Sequence, residues 1–185
     1  MTDDAGDDRR FSQAITLRDG TPVTIRVMRP DDRERIVTAF SKLDASTIYT
    51  RFFSYRKEIP AKTLDRIAAI DFDHLAGLVA TLGEGSDETV IAAATYVLTH
   101  GSEGEKTAEV AFTVEEDYQG QGLATRLLAA LIALARRHGI AHFEADVLAG
   151  NSPMLAVFQR SGLPMRKRSE GGVVHVTMDL APTAG

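Results

Sequence analysis

Val110-Ala111-Phe112-Thr113-Val114 is followed, after the acidic connector 115–118, by Gln119-Gly120-Gln121-Gly122-Leu123-Ala124-Thr125. The first segment alternates Val110, Phe112 and Val114 with smaller or polar residues, which predicts a β-strand. From Leu123 the large apolar residues recur with a period near 3.6, at Leu127, Leu131 and Leu134. That spacing predicts an amphipathic helix. The stretch therefore predicts a strand, a glycine-rich turn and a helix.

The turn between this strand and this helix has glycines at 120 and 122. Glycine lets a backbone approach a ligand closely, and the amides at a helix N-terminus favour an anion, so the turn predicts a phosphate or pyrophosphate site. A dinucleotide loop would need a third glycine where Thr125 stands, and a P-loop would need Gly-Lys-Ser/Thr. A purely structural turn remains an alternative, because glycines are common where strands join helices.

The composition fits one soluble domain with a hydrophobic core: 185 residues, of which 44% are hydrophobic and 25% charged. The net charge is -5, and the only basic run is the short Arg166-Lys167-Arg168, so we expect no nucleic-acid partner. The chain has no cysteine, which excludes disulfides, thiolate metal sites and a cysteine nucleophile. Its five histidines do not cluster in sequence, and we expect no metal.

The two ends of the chain show no pattern that predicts a helix or a strand. Residues 1–10 are acidic and have no apolar segment of the kind found in a signal peptide. We expect a disordered tail over residues 1–12, one domain over 13–181 and a short tail over 182–185. No apolar run reaches membrane-spanning length, so we expect a cytoplasmic protein with no membrane partner.

Turn residues and the spacing of apolar residues predict the order of the helices and strands. Asp19-Gly20 between two apolar runs predicts a β-hairpin. Three early helices are predicted after Pro30, from Asp44 and over 60–70. Strands follow at 75–82, 90–98, 110–114 and 142–148, with a helix from Asn151 and two strands at the end. The order predicts an α+β fold with one central βαβ crossover.

The glycine-rich turn resembles the cofactor loop of the GNAT superfamily of N-acetyltransferases, Gln/Arg-x-x-Gly-x-Gly/Ala, which residues 119–124 match in full. In that family an Asn opens the next helix, an aromatic residue follows within it, and Gly plus an apolar residue close it. Asn151, Phe158, Gly162 and Leu163 stand in those places. The resemblance covers residues 16–180 and implies a mixed, mostly antiparallel central sheet flanked by helices.

The front half of the chain carries a narrower resemblance. Leu17-Arg18-Asp19-Gly20, Arg29-Pro30-Asp31, Tyr49-Thr50-Arg51-Phe52-Phe53 and Ala108-Glu109-Val110-Ala111-Phe112 are similar to segments of bacterial protein-lysine acetyltransferases that modify acyl-CoA synthetases. This resemblance implies acetyl-CoA as cosubstrate and a protein acceptor such as an acyl-CoA synthetase.

The resemblance also implies how coenzyme A is held. The turn would bind the pyrophosphate through backbone amides, with the Thr125 hydroxyl in addition. The backbone of Phe112, Thr113 and Val114 would pair with the amides of the pantetheine arm. Asn151 would contact that arm as well as cap its helix. We expect the following residues to contact the cofactor: Phe112, Thr113, Val114, Gln119, Gly120, Gln121, Gly122, Leu123, Ala124, Thr125, Asn151 and Phe158.

Direct attack of an amine on the thioester is the chemistry that the family implies, and the absence of cysteine agrees with it. Free lysine has a pKa of about 10.4, so a base must accept its proton at neutral pH. Glu109 matches the base position of the lysine acetyltransferases, and we predict that role for it. Glu144 and Asp146 are rival carboxylates on the next strand; a solvated or ion-paired surface role is their alternative.

Two aromatic features complete the predicted site. Phe158 stands where many GNAT enzymes carry a tyrosine that protonates the leaving thiolate, so no general acid is named, and we expect its ring to pack against the cofactor. Tyr49 and Arg51 are predicted to border the acceptor site, whereas Phe52 and Phe53 are expected to pack in the core.

These features together predict an acetyl-CoA-dependent N-acetyltransferase acting on a protein lysine. Two alternatives remain open from the sequence. The same scaffold can acetylate a small amine or a protein N-terminus, because loops build the acceptor pocket. A non-catalytic sensor of acyl-CoA would keep the loop and Asn151 but would need no base.

Overall fold

The computed structural model describes residues 8–52, 58–100 and 104–181 and contains one eight-stranded sheet. The strand order is β1-β2-β3-β4-β5-β6-β8-β7. The strands are β1 (Ser12–Thr16), β2 (Pro22–Val27), β3 (Leu75–Leu82), β4 (Thr89–His100), β5 (Lys106–Val114), β6 (Ile140–Leu148), β7 (Met165–Glu170) and β8 (Val173–Asp179). The helices are α1 (Arg33–Ser41), α2 (Ala45–Phe52), α3 (Ala61–Asp65), α4 (Leu123–Arg137) and α5 (Ser152–Arg160).

All neighbouring strands are antiparallel except β5 and β6, which run parallel and are joined by α4. The predicted α+β fold with one central βαβ crossover is confirmed. The predicted hairpin is also confirmed: β1 pairs with β2, and Gly20 at φ 90° closes the turn. The helix predicted over residues 60–70 is shorter, because α3 passes into a 3₁₀ turn at Arg66–Ala69.

Helices cover both faces of the sheet. The leucine stripe of α4 is buried: Leu123, Leu127, Leu131 and Leu134 are each at most 1% exposed. Full burial of one such side chain stabilises the fold by about 1.5–3 kcal/mol. α5 lies on the same side, since the ring of Phe158 contacts that of Phe112. α1 and α3 lie over the opposite face, where they enclose a cavity with Ala111 and Thr113 of β5.

The parallel strands β5 and β6 pair over only part of their lengths. Pairing begins at Lys106 and Ile140 and ends at Glu109 and Glu144. Beyond that point β5 continues to Val114, paired only with β4, while β6 continues to Leu148, paired only with β8. The two strands therefore form a V whose vertex is the Glu109–Glu144 pair, and the inner edge of β5 has no strand partner there.

A buried ion pair joins β2 to the start of α1. Arg26 donates to both carboxylate oxygens of Asp32 at 2.8 and 2.7 Å, and the two side chains are 4% and 0% exposed. Arg26 also donates to Glu88 at 2.8 Å. Burial disfavours the Asp32 carboxylate, but hydrogen bonds from Arg26 and from the backbone N–H of Arg29 outweigh it and hold the pKa of Asp32 below its ordinary value.

The predicted N-terminal tail requires a correction at residues 8–12. Asp8 is 2% exposed, binds the guanidinium of Arg137, and lies 2.7 Å from Nε2 of His138. Ser12 already belongs to β1. The anchoring partners lie about 130 residues away in sequence, so no local pattern indicates them. Residues 1–7 and the predicted tail at 182–185 lie outside the described residues.

Within the described ranges, the structure contains no helix that is long and apolar enough to cross a membrane.

Candidate functional site

A cleft of about 550 Å³ opens inside the V between β5 and β6. One wall is the free edge of β5 at residues 112–114, and the other is α5 with Asn151 before it. The glycine-rich turn and the start of α4 close one end. An extended ligand can run along β5 from this turn toward the vertex, pairing with backbone groups that β6 leaves free.

The glycine-rich turn presents backbone amides to the cleft. Gly120 and Gly122 have φ angles of 74° and 85°, in the left-handed region that favours glycine. Gly122 occupies the N-cap position of α4 and has no side chain to cap the helix. The first N–H groups of a helix have no acceptor within it and carry partial positive charge. The amides of Leu123, Ala124 and Thr125 are therefore available to an anion at the mouth of the cleft.

Side chains from distant parts of the chain hold this turn in place. Gln119 donates from Nε2 to the carbonyl oxygen of Val114 at 2.9 Å and to Oγ1 of Thr47 at 3.3 Å. Arg18, in the β1–β2 hairpin, donates to the carbonyl oxygen of Gly120 at 3.2 Å. These contacts connect the turn to β5, to α2 and to the hairpin.

The cleft has a positive lining. Arg18, Arg51 and Arg160 line it, and no carboxylate does so among the described residues. Three cations and the free amides of α4 suit a ligand with several phosphate groups. The sequence reasoning missed Arg18 and Arg160 as cleft residues. Arg18 belongs to a turn about 100 residues before the loop, and Arg160 follows no motif.

Most of the predicted cofactor residues are brought together here. The ones that line the cleft are Phe112, Thr113, Val114, Gln119, Gly120, Gly122, Leu123, Ala124, Thr125 and Asn151. The Asn151 side chain accepts a hydrogen bond from the backbone N–H of Met154 at 3.3 Å, so it caps α5 while facing the cleft. The contacts of these residues with a cofactor stay predictions.

Two predicted cofactor residues are placed differently. The side chain of Gln121 turns away from the cleft and accepts from the backbone N–H of Asp19 at 3.2 Å, so only its backbone remains available to a ligand. Phe158 is 1% exposed and does not line the cleft. Its ring packs edge-on against Phe112, with centroids 6.0 Å apart. In the structure Phe158 supports the cleft wall from the core side, and its contact with a cofactor stays a prediction.

Glu109 lies at the vertex of the V, on the sheet face opposite Phe112. It is exposed and opens into a groove shared with Glu144 and Asp146, so the two rival carboxylates lie on its face. Arg51 of α2 is partly buried between the cleft and the cavity under α1. Burial lowers the pKa of the Arg51 guanidinium, and the charge of Glu109 opposes that shift. Arg51 therefore lies within electrostatic reach of the predicted base.

The aromatic residues of the segment 49–53 are only partly described. Tyr49 is 36% exposed on α2, and the Phe52 side chain and Phe53 lie outside the described part of the structure. Across residues 8–52, 58–100 and 104–181, no three His, Asp or Glu side chains are grouped so that they could hold a metal ion.

The split sheet, the positive cleft and the amides at the start of α4 suit a class of protein that binds an extended, anionic ligand. Comparison with known proteins gives the family. The sequence model of the Acetyltransferase (GNAT) family matches residues 43–163. The chain belongs to this family, whose acyl donor is acetyl-CoA. The GNAT assignment is thereby confirmed.

Several relatives are individually similar. Acetyltransferase Pat of Mycolicibacterium smegmatis is 36% identical over 171 residues, which cover 91% of this chain and 49% of that protein. Acetyltransferase PA5475 of Pseudomonas aeruginosa is 33% identical over 139 residues, covering 75% of this chain and 73% of that protein. The GNAT domain of S. lividans PAT has a TM-score of 0.81 at 33% identity, covering 91% of this chain and 96% of that one. This chain thus spans about half the length of the first relative.

Proposed function

We propose that this protein transfers the acetyl group of acetyl-CoA to the side-chain amine of a lysine in a partner protein. The observation that carries the proposal is the V between β5 and β6, which joins an anion site at the start of α4 to a carboxylate at the vertex. One end suits the phosphates of coenzyme A, and the other supplies a base where the thioester would stop.

The residues of the cleft suit three parts of coenzyme A: the phosphates, the pantetheine arm and the thioester. The amides of Leu123 to Thr125, with Arg18 and Arg160 near by, would hold the phosphates. The free edge of β5 would pair with the two amides of the pantetheine arm, as a neighbouring strand does. Its N–H groups near the vertex would polarise the thioester carbonyl, a kind of contact worth a few kcal/mol in related chemistry.

Glu109 would act as the base. The lysine ammonium gives a proton to the Glu109 carboxylate, directly or through one water. The neutral nitrogen attacks the thioester carbon, so a C–N bond forms and the C–S bond breaks. The sulfur leaves as thiolate and takes up the second proton of the nitrogen. The products are an acetylated lysine, coenzyme A thiol and the proton that Glu109 returns to solvent.

No tyrosine is needed for the leaving group in this scheme. A thiol has a pKa of about 8.5, so its thiolate is a tolerable leaving group near neutral pH. Phe158 has no proton to give and is buried behind Phe112. We propose that water or the nitrogen itself supplies the proton.

The acceptor class rests on the resemblance to protein-lysine acetyltransferases and on the similarity to the Pat proteins. Acyl-CoA synthetases are the acceptors we propose to test first, and we expect the reaction in the cytoplasm, where such enzymes meet acetyl-CoA. The direct experiment is an acceptor screen with radiolabelled acetyl-CoA against acyl-CoA synthetases, small amines and N-terminal peptides. Label on a synthetase lysine supports the proposal, whereas label confined to small amines or N-termini contradicts it.

Substitution of the base tests the chemistry. Glu109→Gln should lower kcat with the protein acceptor by at least about a hundredfold, because general-base catalysis contributes 10²–10⁴. The affinity for acetyl-CoA should stay within about twofold by calorimetry, since Glu109 lies outside the cleft lining. Equal turnover in the two proteins would remove Glu109 from the base role. Binding without turnover in the unaltered protein would instead favour an acyl-CoA sensor.

A further inference from the structure

A groove of about 380 Å³ follows the sheet face that carries Glu109. It crosses β6, β8 and β7. Its titratable lining residues are Glu109, Glu144, Asp146, Arg166, Lys167, Arg168 and His175. The register places Glu144 and Arg166 on one face, because Glu144 lies opposite Thr177, and Arg166 lies opposite the same threonine. The groove starts at the vertex of the V, where the base lies.

Glu109 and Glu144 are register neighbours at that vertex. Adjacent strands lie about 4.8 Å apart, so the two carboxylates project side by side from one face. Neither forms a hydrogen bond or an ion pair with any residue that the structure describes. Asp146, two residues further along β6, differs in that it is hydrogen-bonded to Nδ1 of His175. The vertex therefore presents two carboxylates with no cation of their own in contact.

The opposite wall of the groove is basic. Arg166 and Arg168 belong to β7, which is separated from β5 by β6 and β8. Three strand spacings put this wall about 14 Å from Glu109. A cation entering the groove is repelled by the arginines and attracted to the vertex, so the charge distribution directs an ammonium group to the two glutamates.

We infer that the groove receives the acceptor segment of the partner protein and that Glu144 holds the lysine ammonium beside Glu109 before transfer. This inference rests on the proposed function. Glu144 is a positioning residue: it keeps the amine at the vertex, and Glu109 takes the proton.

The test compares Glu144→Gln with the unaltered protein, using an acyl-CoA synthetase from the acceptor screen as substrate. The KM for the synthetase should rise by roughly tenfold, the effect of losing one hydrogen bond to a charged group, while kcat changes by less than about threefold. The affinity for acetyl-CoA should be unchanged. Glu144→Asp, which keeps the charge, should restore most of the loss in KM.

Glu105→Gln is the matched control, because it makes the same change of charge at an exposed carboxylate that His142 of β6 already pairs and that lies outside the groove lining. Its KM should stay within about twofold of the original. An unchanged KM in Glu144→Gln, or a fall in kcat alone, would overturn the inference while transfer by the unaltered protein still supports the function. No transfer by the unaltered protein to any lysine would instead overturn the proposed function.

Discussion

At the scale of single residues, the two glycines of the loop shape the anion site. Gly122 holds a left-handed conformation, and a Cβ added there would meet no heavy atom within 4 Å. Gly122 lines the cleft, so this open space belongs to it. A side chain at this position would occupy the place that we assign to the phosphates, besides straining the backbone.

The matched pair Gly122→Trp and Gly139→Trp separates these two effects. Gly139 follows α4, also has a positive φ of 72° and also has open space around its Cβ. Both variants should lose about 1–3 kcal/mol of stability from backbone strain. Only Gly122→Trp should weaken acetyl-CoA binding, by more than tenfold in calorimetry. Equal affinities in the two variants would contradict the placement of the phosphates at this loop.

At the scale of elements, the buried pair of Arg26 and Asp32 joins β2 to α1. Removal of one partner from such a pair leaves an uncompensated buried charge. Asp32→Asn should therefore lower the free energy of unfolding by about 3–5 kcal/mol in urea titrations. The control is Asp65→Asn, which breaks the exposed pair of Asp65 with Arg33, whose side chains are 70% and 46% exposed. That change should lower the free energy of unfolding by less than about 1 kcal/mol. A similar loss in the two variants would contradict the prediction that the buried pair contributes more than the exposed pair.

The same pair predicts a dependence on pH. The pKa of Asp32 is lower in the folded chain than in the unfolded chain, where it is about 3.9. Its stabilising contribution is therefore complete above pH 4–5 and is lost as the pH falls through the lower folded pKa. Urea titrations between pH 5 and pH 2 should show a steeper loss of stability in the unaltered protein than in Asp32→Asn. Parallel curves would contradict this assignment.

Local patterns were sufficient to predict most elements. Alternating residues identified β5, and the leucine period identified α4, because burial on one side imposes a period of 2 on a strand and 3.6 on a helix. Contacts between distant segments gave no such signal. Tertiary packing alone determines three such contacts. It brings Arg18 close to Gly120, buries Asp8 against α4 and places Phe158 behind Phe112. Glu144 was seen as a rival base, but only the register showed it beside Glu109.

At the scale of the whole molecule, the sheet is continuous except inside the V. Coenzyme A should therefore protect a confined part of the chain from hydrogen exchange. With coenzyme A present, exchange should slow by at least about tenfold at residues 110–114 and 120–125, because a ligand bound there pairs with the N–H groups that have no acceptor in a strand or helix. Mass spectrometry of peptides from α4 near Arg137 gives the comparison. Unchanged exchange at 110–114 would contradict the proposed path of the pantetheine arm.

The end of pairing between β5 and β6 also fixes a length. A chain laid against β5 from the start of α4 can travel only as far as the Glu109–Glu144 pair, where β6 closes the sheet. If the cofactor follows the proposed path, the strand register would determine where its acyl carbon stops relative to the two carboxylates. If the pairing of β5 with β6 ended one residue earlier or later, the last paired side chain of β5 would lie on the other face of the sheet. On the proposed path of the pantetheine arm, backbone hydrogen bonds would therefore set the distance between the acyl group and Glu109.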